Sequence, residues 1–194
     1  MSDNKQDILL PPPQTTGGRP FMEVLGDRRS ERTFVARRPD AQTLSNLLWA
    51  AWGFNRPGRR TAPSSHNRQE IDLYVAMEQG LYLYDAVANL LRLVLGDDIR
   101  RQTGVPIQSF VGSAPIEIIL VCNRSKIKGK TDEELLAATY ANTGVISENI
   151  YLFCASFGLS TVIRAMVDRP ALAQIMQLHD DQMITLVQTV GYDA

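Results

Sequence analysis

A long helix with apolar residues on most of its sides is the feature that most constrains the fold of this chain. Residues 131–134 read Thr-Asp-Glu-Glu, the pattern of a capping box at the start of a helix. No proline follows until well past residue 157, and Gly158 supplies a stop signal, so we predict a helix of about 25 residues. Its apolar positions spread around most of the circumference, which predicts burial on several faces. In a chain of 194 residues, this favours packing against a second subunit as well as against the chain's own sheet.

The other patterns predict an α+β fold with one core rather than strict alternation of strands and helices. Helices are predicted at residues 20–26, 40–51, 97–103 and 168–178, with Asp40, Asp97 and Asp168 as caps of the last three. Strands are predicted at residues 71–77, 81–84, 90–95, 116–122, 161–167 and 183–190, and the first three form a meander. Residues 53–69 and 123–130 are predicted to be loops.

The chain divides into an N-terminal tail and a single domain. Residues 1–20 hold a Pro-Pro-Pro run and a Thr-Thr-Gly-Gly run, so this tail is expected to be extended or disordered. Residues 21–194 contain no repeat and no linker between separate cores, which predicts one domain.

Composition excludes several classes of function. Cys122 and Cys154 both lie in apolar runs and are expected to be buried thiols rather than a redox pair. His66 and His179 stand alone, so no metal site is predicted. No apolar run reaches the length of a membrane span, and no signal peptide is visible, which together predict a cytoplasmic protein. A presequence that has been removed stays open.

An excess of arginine between residues 28 and 69 is the clearest functional signal. Nine of the chain's twenty basic residues lie in this stretch, against two acids, although the net charge of the chain is −1. All nine are arginines, whose guanidinium groups suit bidentate recognition of phosphate or carboxylate. A solvated basic face is the plain alternative for residues 28–32 alone, but the Ser30 hydroxyl adds the short donor that a phosphate prefers. The stretch therefore predicts a site for an anionic cofactor.

Other anion-binding classes have less support. Neither a GxGxxG motif after a strand nor a GxxxxGK[ST] motif is present. The basic residues are confined to one stretch and the sequence pI is about 6.1, which argues against a nucleic-acid-binding protein. A Ser/His/Asp hydrolase is unsupported, because neither histidine is near a plausible nucleophile in the sequence.

The arginine stretch closes with Pro-Ser-Ser-His-Asn-Arg-Gln at residues 63–69. Prolines, serines and asparagines are ordinary turn residues. However, hydroxyls and amides that follow a basic cluster and a helix, directly before the first long strand, can also bind a polyol chain or the edge of a heterocycle.

In these motifs the sequence resembles the FMN-dependent nitroreductase family, and within it the branch that includes thiazoline/oxazoline ring dehydrogenases of the SagB type. The resemblance covers nearly the whole chain from about residue 21 to residue 192. It is carried by five segments in the family's order: residues 28–34, 62–69, 82–85, 155–159 and 190–192.

The resemblance implies a nitroreductase-like fold with a central, mostly antiparallel sheet flanked by helices, and a homodimer whose core is the long helix. It implies two FMN sites at the dimer interface, with residues of both subunits in each. Residues that the resemblance implies for binding the cofactor are Arg28, Arg29, Ser30, Arg32, Pro63, Ser64, Ser65, Asn67, Gln69, Asn142, Arg164 and Ala165. The last two would offer backbone groups to the N5/O4 edge of the flavin.

The activity implied by the resemblance is hydride transfer from NAD(P)H through flavin N5 to a small organic acceptor such as a nitroaromatic or a quinone, without a catalytic side chain. Two alternatives remain: an FMN-dependent ring or peptide dehydrogenase, and a non-catalytic flavin-binding module. Two departures from the family pattern stand out. Many family members hold the phosphate with a basic residue after the position of Tyr192, which this sequence lacks; Arg37 or Arg169 is the expected substitute. In addition, Gln69 is followed by Glu70 rather than by Pro-Trp.

Overall fold

The computed structural model describes residues 6–127 and 131–193. In these residues one seven-stranded sheet forms the centre of the molecule. Its strands are β1 Ile8–Leu9, β4 Ile71–Met77, β5 Gly80–Asp85, β6 Leu90–Leu95, β7 Ile116–Asn123, β8 Ser160–Arg164 and β9 Gln182–Gly191, while β2 Phe54–Arg56 and β3 Arg59–Arg60 form a separate hairpin. The strand order in the large sheet is β1-β6-β5-β4-β7-β9-β8, with antiparallel pairing throughout. The predicted α+β class with a mostly antiparallel sheet is confirmed.

Helices cover both faces of this sheet. They are α1 Phe21–Asp27, α2 Ala41–Trp52, α3 Asp132–Phe157 and α4 Arg169–Ile175. One core lies between the sheet and the pair α2 and α3, where Leu47, Ile118 and Ile150 are fully buried. A second core on the opposite face joins α4 to β7 and β9 through Leu172, Met176 and other apolar side chains. The sheet is therefore buried on both sides, which explains the continuous apolar run of β7.

The long helix begins and ends at the predicted signals. The Thr131 hydroxyl accepts a hydrogen bond from Glu134 N at 3.3 Å, and the Glu134 carboxylate accepts one from Thr131 N at 3.2 Å, which completes the capping box. Gly158 ends the helix in the left-handed conformation, with φ of 70°. About half of the circumference of α3 stays open in the single chain, and within it Leu136, Tyr140 and Val145 are about two-fifths exposed (41%, 39% and 38%).

The described part of the N-terminal segment lies on the surface of the domain. Strand β1 pairs with the edge strand β6. The Ser45 hydroxyl and the Asn89 amide both donate to the carbonyl oxygen of Pro11, at 2.6 and 2.8 Å, and Arg19 N donates to the Ser156 hydroxyl at 3.0 Å. The segment thus runs from the edge of the sheet, along α2, to the C-terminal end of α3.

Several predicted boundaries were wrong. The predicted loop 53–69 contains a small hairpin, β2 Phe54–Arg56 and β3 Arg59–Arg60, whose turn uses Gly58 at a φ of 67°. The helix predicted at 97–103 is a 3₁₀ turn, Arg100–Thr103, and Asp98 rather than Asp97 accepts from the Arg100 N–H. The side chain of Arg100 pairs with Asp98 at 2.7 Å, which favours this acid over its neighbour.

The ends of two elements also differ from the prediction. Strand β8 stops at Arg164 instead of 167, and α4 stops at Ile175 instead of 178. Part of the predicted loop 123–130 is a 3₁₀ turn, Arg124–Lys126, and residues 128–130 lie outside the described residues. Element ends are set by the last tertiary hydrogen bonds rather than by local preference, so the sequence defines them poorly.

Candidate functional site

The first group of predicted site residues gathers around Tyr151 on α3. The Tyr151 hydroxyl oxygen accepts a hydrogen bond from Ile163 N at 3.0 Å and lies 2.7 Å from the Ser30 hydroxyl oxygen. Either of these two hydroxyls can be the donor, because the phenol oxygen can accept a second hydrogen bond. When Tyr151 donates, the proton of the Ser30 hydroxyl is available to an external acceptor. Glu31 N donates to Thr161 O at 3.0 Å, which fixes this segment to strand β8.

Three arginines surround Ser30 in different environments. The Arg28 guanidinium lies 5.2 Å from the centre of the Tyr151 ring, a cation–π contact that holds it over the same tyrosine. Arg29 forms an ion pair with Glu31, and this hydrogen-bonded pairing raises the pKa of the Arg29 guanidinium. Arg32 is exposed. An anion that enters here therefore meets Arg28 and Ser30 directly, whereas Arg29 has to leave Glu31 first.

A cavity of about 310 Å³ opens beside Arg29 at the C-terminal end of α3. Its wall carries charges of both signs, and Arg19 within it is paired with Asp27 at 2.6 Å. The charges of this cavity largely cancel within the chain. The cavity itself therefore offers an anion little net attraction, and neither Arg28 nor Ser30 belongs to its wall.

The second group of predicted site residues forms a strained loop. His66, Asn67 and Gln69 have φ values of 55°, 54° and 53°, which side chains other than glycine rarely adopt. Hydrogen bonds hold the loop in this shape: Gln69 N donates to the Ser64 hydroxyl at 3.1 Å, and Asn67 Nδ2 and Gln69 Nε2 donate to Gly58 O at 3.1 and 2.9 Å. Strain that is maintained by so many contacts is typical of a binding loop.

Asn142 connects this loop to the long helix. Its side-chain oxygen accepts from Ser65 N at 3.2 Å, and its Nδ2 donates to the Glu70 carboxylate at 2.6 Å. Glu70 is buried, and its second carboxylate oxygen has no partner in the described part of the chain. Glu70, which stands where the family pattern has proline, is thus a buried acceptor behind the loop, and its carboxylate orients the Asn142 side chain. Pro63 lies exposed at the start of the same loop.

The two groups are attached to the same helix but at different heights. Asn142 and Tyr151 are nine residues apart on α3, and a rise of 1.5 Å per residue separates them by about 13 Å along the helix axis. The structure brings Arg28 and Ser30 together at one height, and Ser64, Ser65, Asn67 and Gln69 together at the other. Within one subunit it does not bring these two groups into contact.

The side chain of Arg164 points into the molecule. It is 4% exposed, and it donates to Glu117 Oε2 at 2.6 Å, to Thr189 Oγ1 at 2.9 Å and to Thr103 O at 2.9 Å. Burial raises the pKa of Glu117 to about 7 despite the neighbouring guanidinium. Only the backbone of Arg164 remains available for the predicted role. Ala165, at the end of β8, is exposed.

The two arginines that were predicted to substitute for the family's C-terminal basic residue lie in different places. Arg169 donates to the carbonyl oxygens of Ile184 and Thr185 at 3.1 and 2.7 Å, so its guanidinium supports strand β9. Arg37 stacks on the ring of Tyr192, with its guanidinium carbon 4.0 Å from the ring centre. Of the two, only Arg37 keeps an exposed side chain.

The donors in the two groups fit a flavin mononucleotide chemically. A phosphate needs a guanidinium and short hydroxyl or N–H donors, which Arg28 and Ser30 offer. A polyol chain and a heterocycle need hydroxyls and amides, which the Ser64–Gln69 loop and Asn142 offer. Sequence reasoning missed Tyr151 and Glu70, although a tyrosine within an apolar helix and an acid directly before a buried strand are both signals of a buried hydrogen bond.

Comparisons with known proteins place the whole chain in one group. The sequence profile of the nitroreductase family matches residues 25–192. A provisionally named nitroreductase of Methanocaldococcus jannaschii is 26% identical over 149 residues, which are 72% of this chain and 75% of that protein.

Solved structures agree with this result. The crystal structure of a provisionally named nitroreductase from Ralstonia eutropha has a TM-score of 0.93 and 39% identity, and the match covers 100% of this chain and 92% of that one. A chain of the Escherichia coli microcin synthetase complex, solved with a truncated precursor bound, has a TM-score of 0.74 and 18% identity over 99% of this chain and 79% of its own length. The second likeness is one of fold alone.

Proposed function

This chain belongs to the nitroreductase family, and from that premise we propose that it is an FMN-dependent oxidoreductase that takes a hydride from NAD(P)H and passes it to a small organic acceptor such as a nitroaromatic or a quinone. Family membership supports an oxidoreductase that uses a flavin. One observation carries the finer proposal: two complementary donor groups are attached to α3. The group around Ser30 is bonded to Tyr151, and the group around Ser65 is bonded to Asn142.

The active unit in this proposal is a homodimer. In the proposed dimer, the first donor group of one subunit lies beside the second group of its partner, so each site draws residues from both subunits. The open face of α3 around Val145 carries apolar and small side chains, and Gly144 has no atom within 4 Å of the position of an added Cβ. Such a face allows a second helix to approach closely.

Each residue then has a defined task. Arg28 and the Ser30 hydroxyl bind the phosphate, with Arg29 and Arg32 adding positive charge. Ser64, Ser65, Asn67 and Gln69 bind the polar edges of the cofactor from the other subunit, and Asn142 is held in place by Glu70. The backbone at Arg164 and Ala165 offers hydrogen bonds to the reactive edge. The flavin, when bound, supplies the two-electron chemistry, so no acid–base side chain is required.

Binding of FMN is the first test. Apo-protein is titrated with FMN, and binding is followed by quenching of the flavin fluorescence. We expect Arg28→Ala to weaken the affinity by about 1.5–3 kcal/mol, the range for a charge-assisted hydrogen bond, and Arg38→Ala, at an exposed arginine bonded to Gln79 outside both donor groups, to leave it unchanged. Failure of the wild-type protein to take up FMN would contradict the proposal.

Electron transfer is the second test, and it separates the alternatives. Anaerobic NADH and NADPH are mixed with the FMN-loaded protein, and the flavin absorbance is followed; then a quinone or a nitroarene is added. Rapid bleaching followed by reoxidation is expected. Bound flavin that neither nucleotide reduces would favour the ring or peptide dehydrogenase, and reduced flavin that no acceptor or oxygen reoxidises would favour a non-catalytic binding module.

A further inference from the structure

Three arginines beside the Ser64–Gln69 loop are not used by the proposed flavin site. They come from the hairpin β2–β3, where Arg56 pairs with Arg59 across the turn and Arg60 pairs with Phe54. A cavity of about 180 Å³ opens between this hairpin and the loop. We call it the arginine pocket; the polar residues of its wall that matter here are Arg56, Arg59, Arg60, Thr61, Ser64 and Asn67.

Arg60 lines the pocket, and its guanidinium is held in place by several contacts. Its Nε donates to Gln69 Oε1 at 2.9 Å and its Nη1 donates to Trp52 O at 2.8 Å. Its guanidinium also lies 4.1 Å from the centre of the Phe54 ring and 5.0 Å from that of Trp52. These contacts tie the hairpin to α2 and to the strained loop, so the pocket and the loop form one rigid unit.

Arg56 and Arg59 keep their charges available. Both side chains are exposed. The Arg56 guanidinium donates to the side chain of its neighbour Asn55 at 3.1 Å, and the side chain of Arg59 makes no hydrogen bond or ion pair within the described residues. The wall of the pocket contains no acid. Because unpaired guanidinium groups in a concave surface raise the local concentration of anions, the pocket attracts negative charge.

Neighbouring carboxylates do not cancel this attraction. The two acids whose charges reach Arg60 are Asp72 and Asp85. Asp72 is already paired with Lys126 at 2.8 Å, and Asp85 with Arg92 at 2.6 Å. In addition, the buried hydroxyl of Thr61, in the same wall, has no hydrogen-bond partner in the described part of the chain.

We propose that the arginine pocket binds a phosphate or diphosphate group of a substrate, and specifically that of the pyridine dinucleotide that reduces the enzyme. This assignment of the dinucleotide rests on the proposed function. The volume is below the roughly 300 Å³ at which pockets begin to hold whole ligands, so the pocket receives a charged part of a longer molecule. Ser64 and Asn67 belong both to the pocket and to the flavin-binding loop, so a molecule with its phosphates here can extend toward the flavin. Arginine suits this task because its planar fork binds phosphate oxygens in pairs.

The first experiment measures the pocket without any flavin chemistry. Inorganic pyrophosphate is titrated into the wild-type protein and into Arg56→Gln/Arg59→Gln by calorimetry at low ionic strength. The double change should weaken pyrophosphate binding by at least about tenfold, the effect of losing one charge-assisted contact. Arg38→Gln, an exposed arginine bonded to Gln79 outside the pocket, is the matched control and should bind as the wild type does. No difference between the double variant and the control would overturn the proposal.

The second experiment identifies the source of the phosphate. Anaerobic reduction of the FMN-loaded proteins is followed at several NADH and NADPH concentrations. The double variant should need at least about ten times more nucleotide for half-maximal rate, while its limiting rate and its FMN content stay at the wild-type values. An unchanged nucleotide dependence would reject the dinucleotide as the occupant, and a loss of FMN would show that the arginines belong to the cofactor site instead. The calorimetric result tests phosphate binding by the arginine pocket even if neither nucleotide reduces the protein. A failure of the pocket proposal can therefore be told apart from a failure of the proposed oxidoreductase function.

Discussion

At the scale of single residues, the most informative contact is the one between Tyr151, Ser30 and Ile163. One phenol joins the long helix, the arginine-rich segment and strand β8. The phenol oxygen accepts from Ile163 N, and the phenol also shares a hydrogen bond with the Ser30 hydroxyl. Tyr151 can thus position the hydroxyl that is proposed to bind the phosphate.

Replacing this phenol tests that role. Tyr151→Phe leaves the Ile163 N–H without its acceptor, which should cost about 1–3 kcal/mol of unfolding free energy, and it should also weaken FMN binding because Ser30 loses its fixed orientation. Tyr74→Phe removes a hydroxyl that accepts from Gln182 Nε2 at 3.3 Å, in the core on the other face of the sheet, and is the control. Urea unfolding and FMN titration provide the two measurements, and an affinity equal to that of the control would show that Tyr151 only stabilises the fold.

The pair of Glu117 and Arg164 predicts a pH dependence. Burial raises the pKa of Glu117 from 4.5 to about 7, so between these values the folded chain holds a proton that the unfolded chain has released. The contribution of Glu117 to stability therefore falls as the pH rises from about 5 to 7. Unfolding free energies measured across this range should show the decline in the wild type and lack this component in Glu117→Gln. Parallel pH profiles for the two proteins would contradict the assignment.

At the scale of secondary structure, local signals predicted α3 correctly. The features that the prediction missed depend on contacts between distant residues or lie within loop-like sequence. The capping box at Thr131 and the left-handed Gly158 are both visible in the sequence, because a helix cap involves residues only a few positions apart. The hairpin β2–β3 was missed because its loop residues suggest irregular structure. The partners Arg164 and Glu117 are 47 residues apart, so no local pattern could indicate that the Arg164 side chain would turn inward.

Two glycines allow the same substitution to be tested in opposite conformations. At Gly158, φ is 70° and an added Cβ would meet no atom within 4 Å, so Gly158→Ala should cost about 1–2 kcal/mol through backbone strain alone. Gly26 lies inside α1 with equally free space, and Gly26→Ala should be neutral or stabilise by up to about 1 kcal/mol. Thermal or urea unfolding checks both. Equal effects of the two changes would show that the cap conformation carries no strain.

At the scale of the whole molecule, the sequence predicted that α3 would be covered on several faces, and the single chain leaves one face open. In the proposed dimer, the separation of the two donor groups along α3 makes each subunit half of a site. The sequence allowed residues of both groups to be named, because each is a short motif. It could not show how the two groups are arranged, since that depends on tertiary packing and, in the proposal, on packing between chains.

The dimer is tested by placing a charge on the open face. Val145→Glu should dissociate the proposed dimer, because a carboxylate would be buried without a partner, and FMN binding should be lost with it. Val87→Glu changes an exposed valine in a turn and is the control. Sedimentation velocity gives the mass and absorbance gives the flavin content. A Val145→Glu protein that stays dimeric, or a monomer that retains FMN, would contradict a site shared between subunits.

Strand β1 has a consequence for solubility. A sheet edge displays unpaired N–H and C=O groups that can recruit another chain, and proteins commonly shield such edges. Here Ile8 and Leu9 pair with Leu91 and Leu90 of β6, and the bonds to Pro11 from Ser45 and Asn89 hold this short strand in place. The N-terminal segment therefore acts as a guard against edge-to-edge aggregation. Its removal would leave the residues of the proposed flavin site in place, and we expect it to promote self-association of the protein.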